Sequence, residues 1–278
     1  MVIALVTAGG VVGFACGFSD EGSFVSTPPE PDSSPLTEAS SIPRPDGSVP
    51  VQEAGTDADA APSCPKGHGT MVFVNASGLS FCIDSTEVTN TEYDSFLAAT
   101  DGGAPSALDA GAAPDGCAGN LSFVRAAPQP TGDDGAFPVA SVDWCDAYAF
   151  CRWAGKRLCG KTVQTDASTG EWFAACTNGG LRTHPYGNGY DAGACNEDST
   201  GVGSAKAVAT FPGCQGGVPG IFDMNGNVTE MIDSCDTATC RAVGGYYFQP
   251  TPSCSVASDI PRTGSGPETG FRCCADSE

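Results

Sequence analysis

FPVASVDWCDAYAFCRWAGKRLC, residues 137–159, is the stretch from which the fold is read. Pro138 and Val139 lead into a short extended piece, and Asp143 stands just ahead of a helix. The apolar face of that helix carries Trp144, Ala147, Tyr148 and Cys151 at three- and four-residue spacing. This spacing predicts an amphipathic helix packed on a core. Upstream, FCIDSTEVTNTEYDSFLAA (81–99) reads as a strand through Phe81, Ile83 and Val88. A helix capped by Thr89 or Asn90 follows, running through Tyr93, Phe96 and Leu97.

Outward from these segments, 37 Gly and 21 Pro are scattered through 278 residues, so turns are frequent and long regular helices do not dominate. Of 15 cysteines, 14 fall between Cys64 and Cys274, an even number suited to seven disulfides in an oxidising compartment. Zinc is the rival reading, but no CxxC pair occurs and His68 and His184 are the two histidines, so the usual ligand sets cannot be assembled. Proximity in sequence suggests Cys64–Cys82, Cys195–Cys214 and Cys235–Cys240, while Cys274 has the alternative of a reactive thiol. A net charge of −21 repels phosphate backbones and anionic headgroups, which excludes nucleic acid as a partner.

The first quarter of the chain has a different character. Residues 1–15, MVIALVTAGGVVGFA, are uncharged, mostly apolar and too short to span a bilayer as a helix. They suit the apolar region of an export signal, and Cys16 follows at once. An apolar run ending in small residues before a lone cysteine resembles a bacterial lipobox, so 1–16 is assigned as a signal peptide with Cys16 as lipidation site. The alternative is a buried N-terminal strand. Residues 17–63 hold eight prolines, nine acidic residues, one basic residue (Arg44) and neither Trp nor Tyr, the composition of a disordered linker. This organisation leaves 64–278 as the folded domain. The expected location is the outer membrane or cell surface of a bacterium, with attachment to the membrane through Cys16. DGGAPSALDAGAAPDG (101–116) reads as a surface loop inserted in the domain.

Eight segments occur in order: EVTNTEY, PVASVDW, AYAFCRWAGKRL, EWFAACTNGG, HPYGN, DMNGNVTE, VGGYYF and GFRC. Together they resemble the blocks of the formylglycine-generating enzyme, or sulfatase-modifying factor, family. The resemblance runs from about Cys64 to the C-terminus. It implies that family's α+β fold, loop-rich, disulfide-stabilised and related to C-type-lectin-like folds.

Active members of the family oxidise a cysteine of a target sulfatase to formylglycine with dioxygen, using two cysteines that bind copper(I). Two thiolates are natural soft ligands for that ion. The family's pair stands five residues apart after a glycine pair, and the corresponding stretch here is GGYYFQPTPSC, Gly244 to Cys254. Counted forward from the glycines, the first catalytic position is Gln249 and the second is Cys254. Counted backward from GFRC, Cys254 is instead a structural cysteine, and both catalytic thiols are missing. Either count denies the domain its cysteine pair. The resemblance further implies disulfides Cys151–Cys273 and Cys176–Cys254.

DMNGNVTE (223–230) matches a family calcium loop piece by piece. Asp223 and Glu230 supply carboxylates, Gly226 and Val228 supply main-chain carbonyls, and Asn196 of GACNED falls at a second family site. Without the family, MNGN is a tight Gly-Asn turn. Thr229 and Met231 stand where the family pattern has tryptophans. Other chemistries lack their motifs: there is no GxSxG elbow, Walker loop, HExxH or dinucleotide fingerprint. Three functions follow as expectations. The first is an exported domain without the copper pair that acts in binding, with a protein or glycan of the cell envelope as partner, or in envelope structure. The second is an oxidase that recruits another cysteine, such as Cys254 with Cys274. The third is a calcium-dependent, lectin-like binder.

Overall fold

The computed structural model of the chain describes residues 62–103, 116–126, 135–160, 170–264 and 266–278. The leader with Cys16, the linker to residue 61 and most of the 101–116 insertion lie outside the described residues.

Strands β1 (Met71–Ala76) and β2 (Leu79–Asp84) form a hairpin, and helix α1 (Asn90–Ala99) follows. Thr89 caps α1 through a reciprocal pair of bonds. Its Oγ1 accepts the Glu92 N–H at 3.3 Å, and Glu92 Oε2 accepts the Thr89 N–H at 2.8 Å. Val88 is not part of the strand, which ends at Asp84. Instead its N–H donates to Phe271 O and its carbonyl accepts from Val139, so it joins two distant segments.

Helix α2 (Trp144–Trp153) is capped in the same way by Asp143 and Asp146. Trp144, Ala147 and Cys151 are buried as expected and Tyr148 is half-buried, but Cys145, Ala149 and Phe150 are buried too. The apolar stripe is therefore wider than the spacing suggests. Strand β3 (Arg157–Leu158) and helix α3 (Glu171–Thr177) complete the first half, and β4 (Thr229–Cys235), β5 (Thr239–Val243), β6 (Ala257–Pro261), β7 (Thr269–Phe271) and β8 (Cys273–Ala275) the second.

The strands form two four-stranded sheets, ordered β1-β2-β8-β3 and β6-β5-β4-β7, with β4 and β7 parallel and the other pairs antiparallel. Strand β8 divides the core. Successive strand residues point to opposite faces. Accordingly Cys273 bonds Cys151 in the cluster of Tyr93, Phe96, Phe150 and Phe271, whereas Cys274 bonds Cys159 in the cluster of Phe81, Ile83, Trp172 and Ile221. The adjacent cysteines thus tie one strand to two packed layers.

Candidate functional site

The fourteen cysteines from Cys64 to Cys274 are joined in seven disulfides. Both pairs implied by the resemblance are present, as are the three suggested by proximity, and Cys117–Cys145 and Cys159–Cys274 complete the set. Cys254 is bonded to Cys176 and is 1% exposed, so it offers copper no thiolate. This corrects the catalytic reading of Cys254 and favours the backward count from GFRC. The alternative of a reactive Cys274 is likewise overturned by its bond to Cys159. Gln249 ends a tight turn: its N–H donates to Tyr246 O at 2.7 Å and its carbonyl accepts the Asp198 N–H at 3.4 Å.

Next to this loop lies a buried polar cluster that contains the five candidate calcium ligands. Residue 226 has φ +76°, and a Cβ there would stand 2.1 Å from Asn196 O, so glycine alone permits the approach. The Asn227 N–H then donates to Asn196 O at 2.8 Å. Asn227 also holds the cluster together with its side chain, donating from Nδ2 to Glu87 Oε1 and accepting from Asn196 Nδ2, both at 3.0 Å. Asp223 Oδ2 accepts the Ala209 N–H. Val228 is buried in the same turn.

Within this cluster Glu230 is the member bound to the internal arginine. Both of its oxygens are held by Arg272, at 2.6 and 2.7 Å, and Oε2 also accepts from Trp172 Nε1 at 2.8 Å. The carboxylate meant to complete an oxygen shell is therefore engaged by an internal guanidinium. Asp223 is likewise engaged, by the Ala209 N–H, whereas Asn196 Oδ1 and Glu87 Oε2 are buried in the same cluster without a hydrogen-bond partner among the described residues. Burial pushes the carboxyl of Asp223 up to about 6. Burial and the nearby Asp223 push Glu87 well above the ordinary carboxylate value, and Arg272 opposes this.

Outside the cluster, the 246–254 loop forms part of an aromatic surface. The Tyr246, Tyr247 and Phe248 rings contact one another, and Phe248 is 52% exposed. The loop is pinned to the 183–203 segment by bonds Cys254 N–H to Thr183 O and Asp198 N–H to Gln249 O. In that segment His184 is buried, with Nδ1 2.8 Å from Pro252 O and its ring stacked on Tyr186. It serves as a structural residue of the turn. Tyr190 is 40% exposed and donates its hydroxyl to Glu197, a buried carboxylate that also accepts from Ser199.

A profile of the sulfatase-modifying factor enzyme 1-like domain matches residues 45–277. The chain belongs to this family. Among curated relatives of the sulfatase-modifying factor domain, the inactive Cα-formylglycine-generating enzyme 2 of Bos taurus is 31% identical over 161 residues. The match covers 49% of this chain and 50% of the bovine one, so the chain spans about half the length of that relative. Among solved structures, CarF superposes with a TM-score of 0.49 at 22% identity, covering 71% of this chain and 86% of CarF. PvdO from Pseudomonas aeruginosa gives 0.49 at 20%, covering 73% and 82%.

In this sulfatase-modifying factor domain, sequence reasoning missed Glu87, Asn227, Trp172 and Arg272 as members of the polar cluster. Each lies inside a family block, in EVTNTEY, DMNGNVTE, EWFAACTNGG and GFRC. Block membership was the available signal. It marks positions that matter but does not say which side chains meet.

Proposed function

We propose that this chain is a sulfatase-modifying-factor-like domain without copper oxidase chemistry that acts by binding a protein or glycan of the cell envelope. It is carried there as an exported lipoprotein acylated on Cys16. The observation that supports this is the state of the cysteines. The loop after Gly244 and Gly245 offers Gln249 and a Cys254 already bonded to Cys176, and no described cysteine retains a thiol. Seven disulfides favour an oxidising compartment. Exposed Tyr190 and Phe248, with half-buried Tyr186 and Tyr246 beside them in their respective loops, supply aromatic area of the kind that recognition uses.

Copper(I) titration of the purified full chain tests the reading, with oxygen consumption followed in the presence of a sulfatase peptide containing the target cysteine. Neither copper binding nor oxygen uptake is expected. One equivalent of tightly bound copper with turnover would restore the oxidase on altered ligands. The mass of the N-terminal peptide from the envelope-purified protein reads acylation of Cys16, and an unmodified Cys16 would remove the anchor.

A further inference from the structure

The β4–β5 hairpin carries a disulfide unlike the other six. Cys235 and Cys240 stand directly opposite each other across the two antiparallel strands. Five positions separate them in sequence, whereas the other pairs are separated by 18 to 122. A bond closing so short a loop restrains the unfolded chain least, so opening it removes the least from the fold.

The hairpin is also pinned without it. Asp236 Oδ1 accepts the N–H groups of Ala238 and Thr239 at 2.7 and 2.6 Å, and its Oδ2 accepts the Thr239 hydroxyl. Those bonds hold the Asp236 carboxyl below the usual carboxylate range, so it is ionised at neutral pH. Arg262, just past the end of β6, grips the turn: its Nη2 donates to Asp236 O at 2.6 Å and its backbone N–H to Ala238 O at 2.9 Å. Beyond the turn, all five residues of β5 are paired with β6. Access is uneven as well. Cys240 is 1% exposed, whereas Cys235 is half-buried, a condition that it shares among the fourteen described cysteines with Cys64 alone.

We propose that Cys235–Cys240 is an exchangeable disulfide, a site that accepts two electrons from a dithiol reductant while the rest of the fold stays oxidised. A thiolate of the reductant attacks Sγ of Cys235, the Cys235–Cys240 bond breaks, and Cys240 leaves as a thiolate that takes up a proton. The second thiol of the reductant, deprotonated, then attacks its own sulfur in the mixed disulfide and releases Cys235. The products are a protein dithiol on the hairpin and the reductant's disulfide. This inference is independent of the binding role.

The test uses the full chain in native buffer with dithiothreitol as the probe, quenched with N-ethylmaleimide at intervals and read by peptide mass. Cys235 and Cys240 should be alkylated first, about tenfold faster than any other pair, since exchange rate follows access to the attacked sulfur. Near-ultraviolet circular dichroism should stay unchanged. The proposal fails if Cys64 and Cys82 open first, if the pairs open together, or if tertiary signal is lost with the first alkylation. The variant Cys235→Ser/Cys240→Ser should fold and lack the fast phase. A variant that does not fold, or that keeps the fast phase, overturns the proposal.

Discussion

Arg272 is fully buried and donates four hydrogen bonds to three residues: Nε and Nη2 to Glu230, Nη1 to Asp84 O and Nη2 to Phe222 O, while Trp172 donates to Glu230 from the other side. Burial works against its charge, but Glu230, Glu87 and Asp223 outweigh that and hold its pKa above the ordinary arginine value. Such a pair contributes little over an apolar replacement, yet removing one partner strands a buried charge. Arg272→Met is therefore expected to destabilise the domain by about 3–5 kcal/mol in urea unfolding. Replacing both partners, Arg272→Met with Glu230→Leu, should recover part of that loss because the two effects are coupled. In the wild type, neither calcium nor a chelator should move the urea midpoint. Saturating calcium at 100-fold over its Kd would add about 2.7 kcal/mol. A rise of that size would show that Glu230 exchanges Arg272 for the ion.

At the level of elements, β8 depends on its two adjacent cysteines. It has three residues and bonds two layers through loops of 122 and 115 positions. Chain entropy gives such loops about 5 kcal/mol each, although measured values run lower. Cys159→Ser/Cys274→Ser should lower the unfolding free energy by roughly 2–5 kcal/mol, well beyond the effect of removing Cys235–Cys240. Equal losses from the two double variants would refute this ranking. The same strand shows what the sequence revealed and what it concealed. The start of α1 was legible to within Thr89 or Asn90, and Asp143 as the residue ahead of α2, because capping is a bond within three residues. Cys195–Cys214 was legible because its partners are near in sequence. Cys159–Cys274 was not, because its pairing depends on where β8 threads between β2 and β3, a long-range fact with no local trace. Val88 failed for the opposite reason: its β-branched side chain suits a strand, but its backbone bonds are drawn to Phe271 and Val139. At the candidate site, Gln249 in place of a thiol was visible in the sequence. The diversion of Glu230 to Arg272 was not, since it requires the parallel pairing of β4 with β7 that sets the two side chains together.

Across the whole molecule, charge sets the response to pH. The chain carries −21, and several carboxyls inside the fold are harder to ionise than in an unfolded chain. Burial pushes Asp84 up to about 6 against the pull of Lys156, Asp223 to about 6, and Asp146 to about 7 with help from the nearby Asp143. A group whose pKa is raised on folding binds its proton more tightly in the folded state, so the unfolding free energy falls as pH rises through the window between the two values. For these residues that window runs from about 4 to about 7. Self-repulsion acts in the same direction, growing as the remaining acids ionise. Calorimetry should therefore find Tm several degrees higher at about pH 5 than at about pH 8, with the gain ending near pH 4 as the unfolded carboxyls also protonate. In the wild type Asp146 Oδ2 accepts the Asp143 N–H at 3.1 Å and Oδ1 accepts the Asn120 amide at 2.7 Å, so Asp146→Asn keeps an oxygen for one of the two donors and cannot titrate. It should lower Tm overall and flatten the profile between about pH 6 and 8. A wild-type Tm that stays level or climbs from pH 5 to pH 8 would mean that these carboxyls remain ionised in the fold and that partners such as Lys156 and Arg272 outweigh their burial.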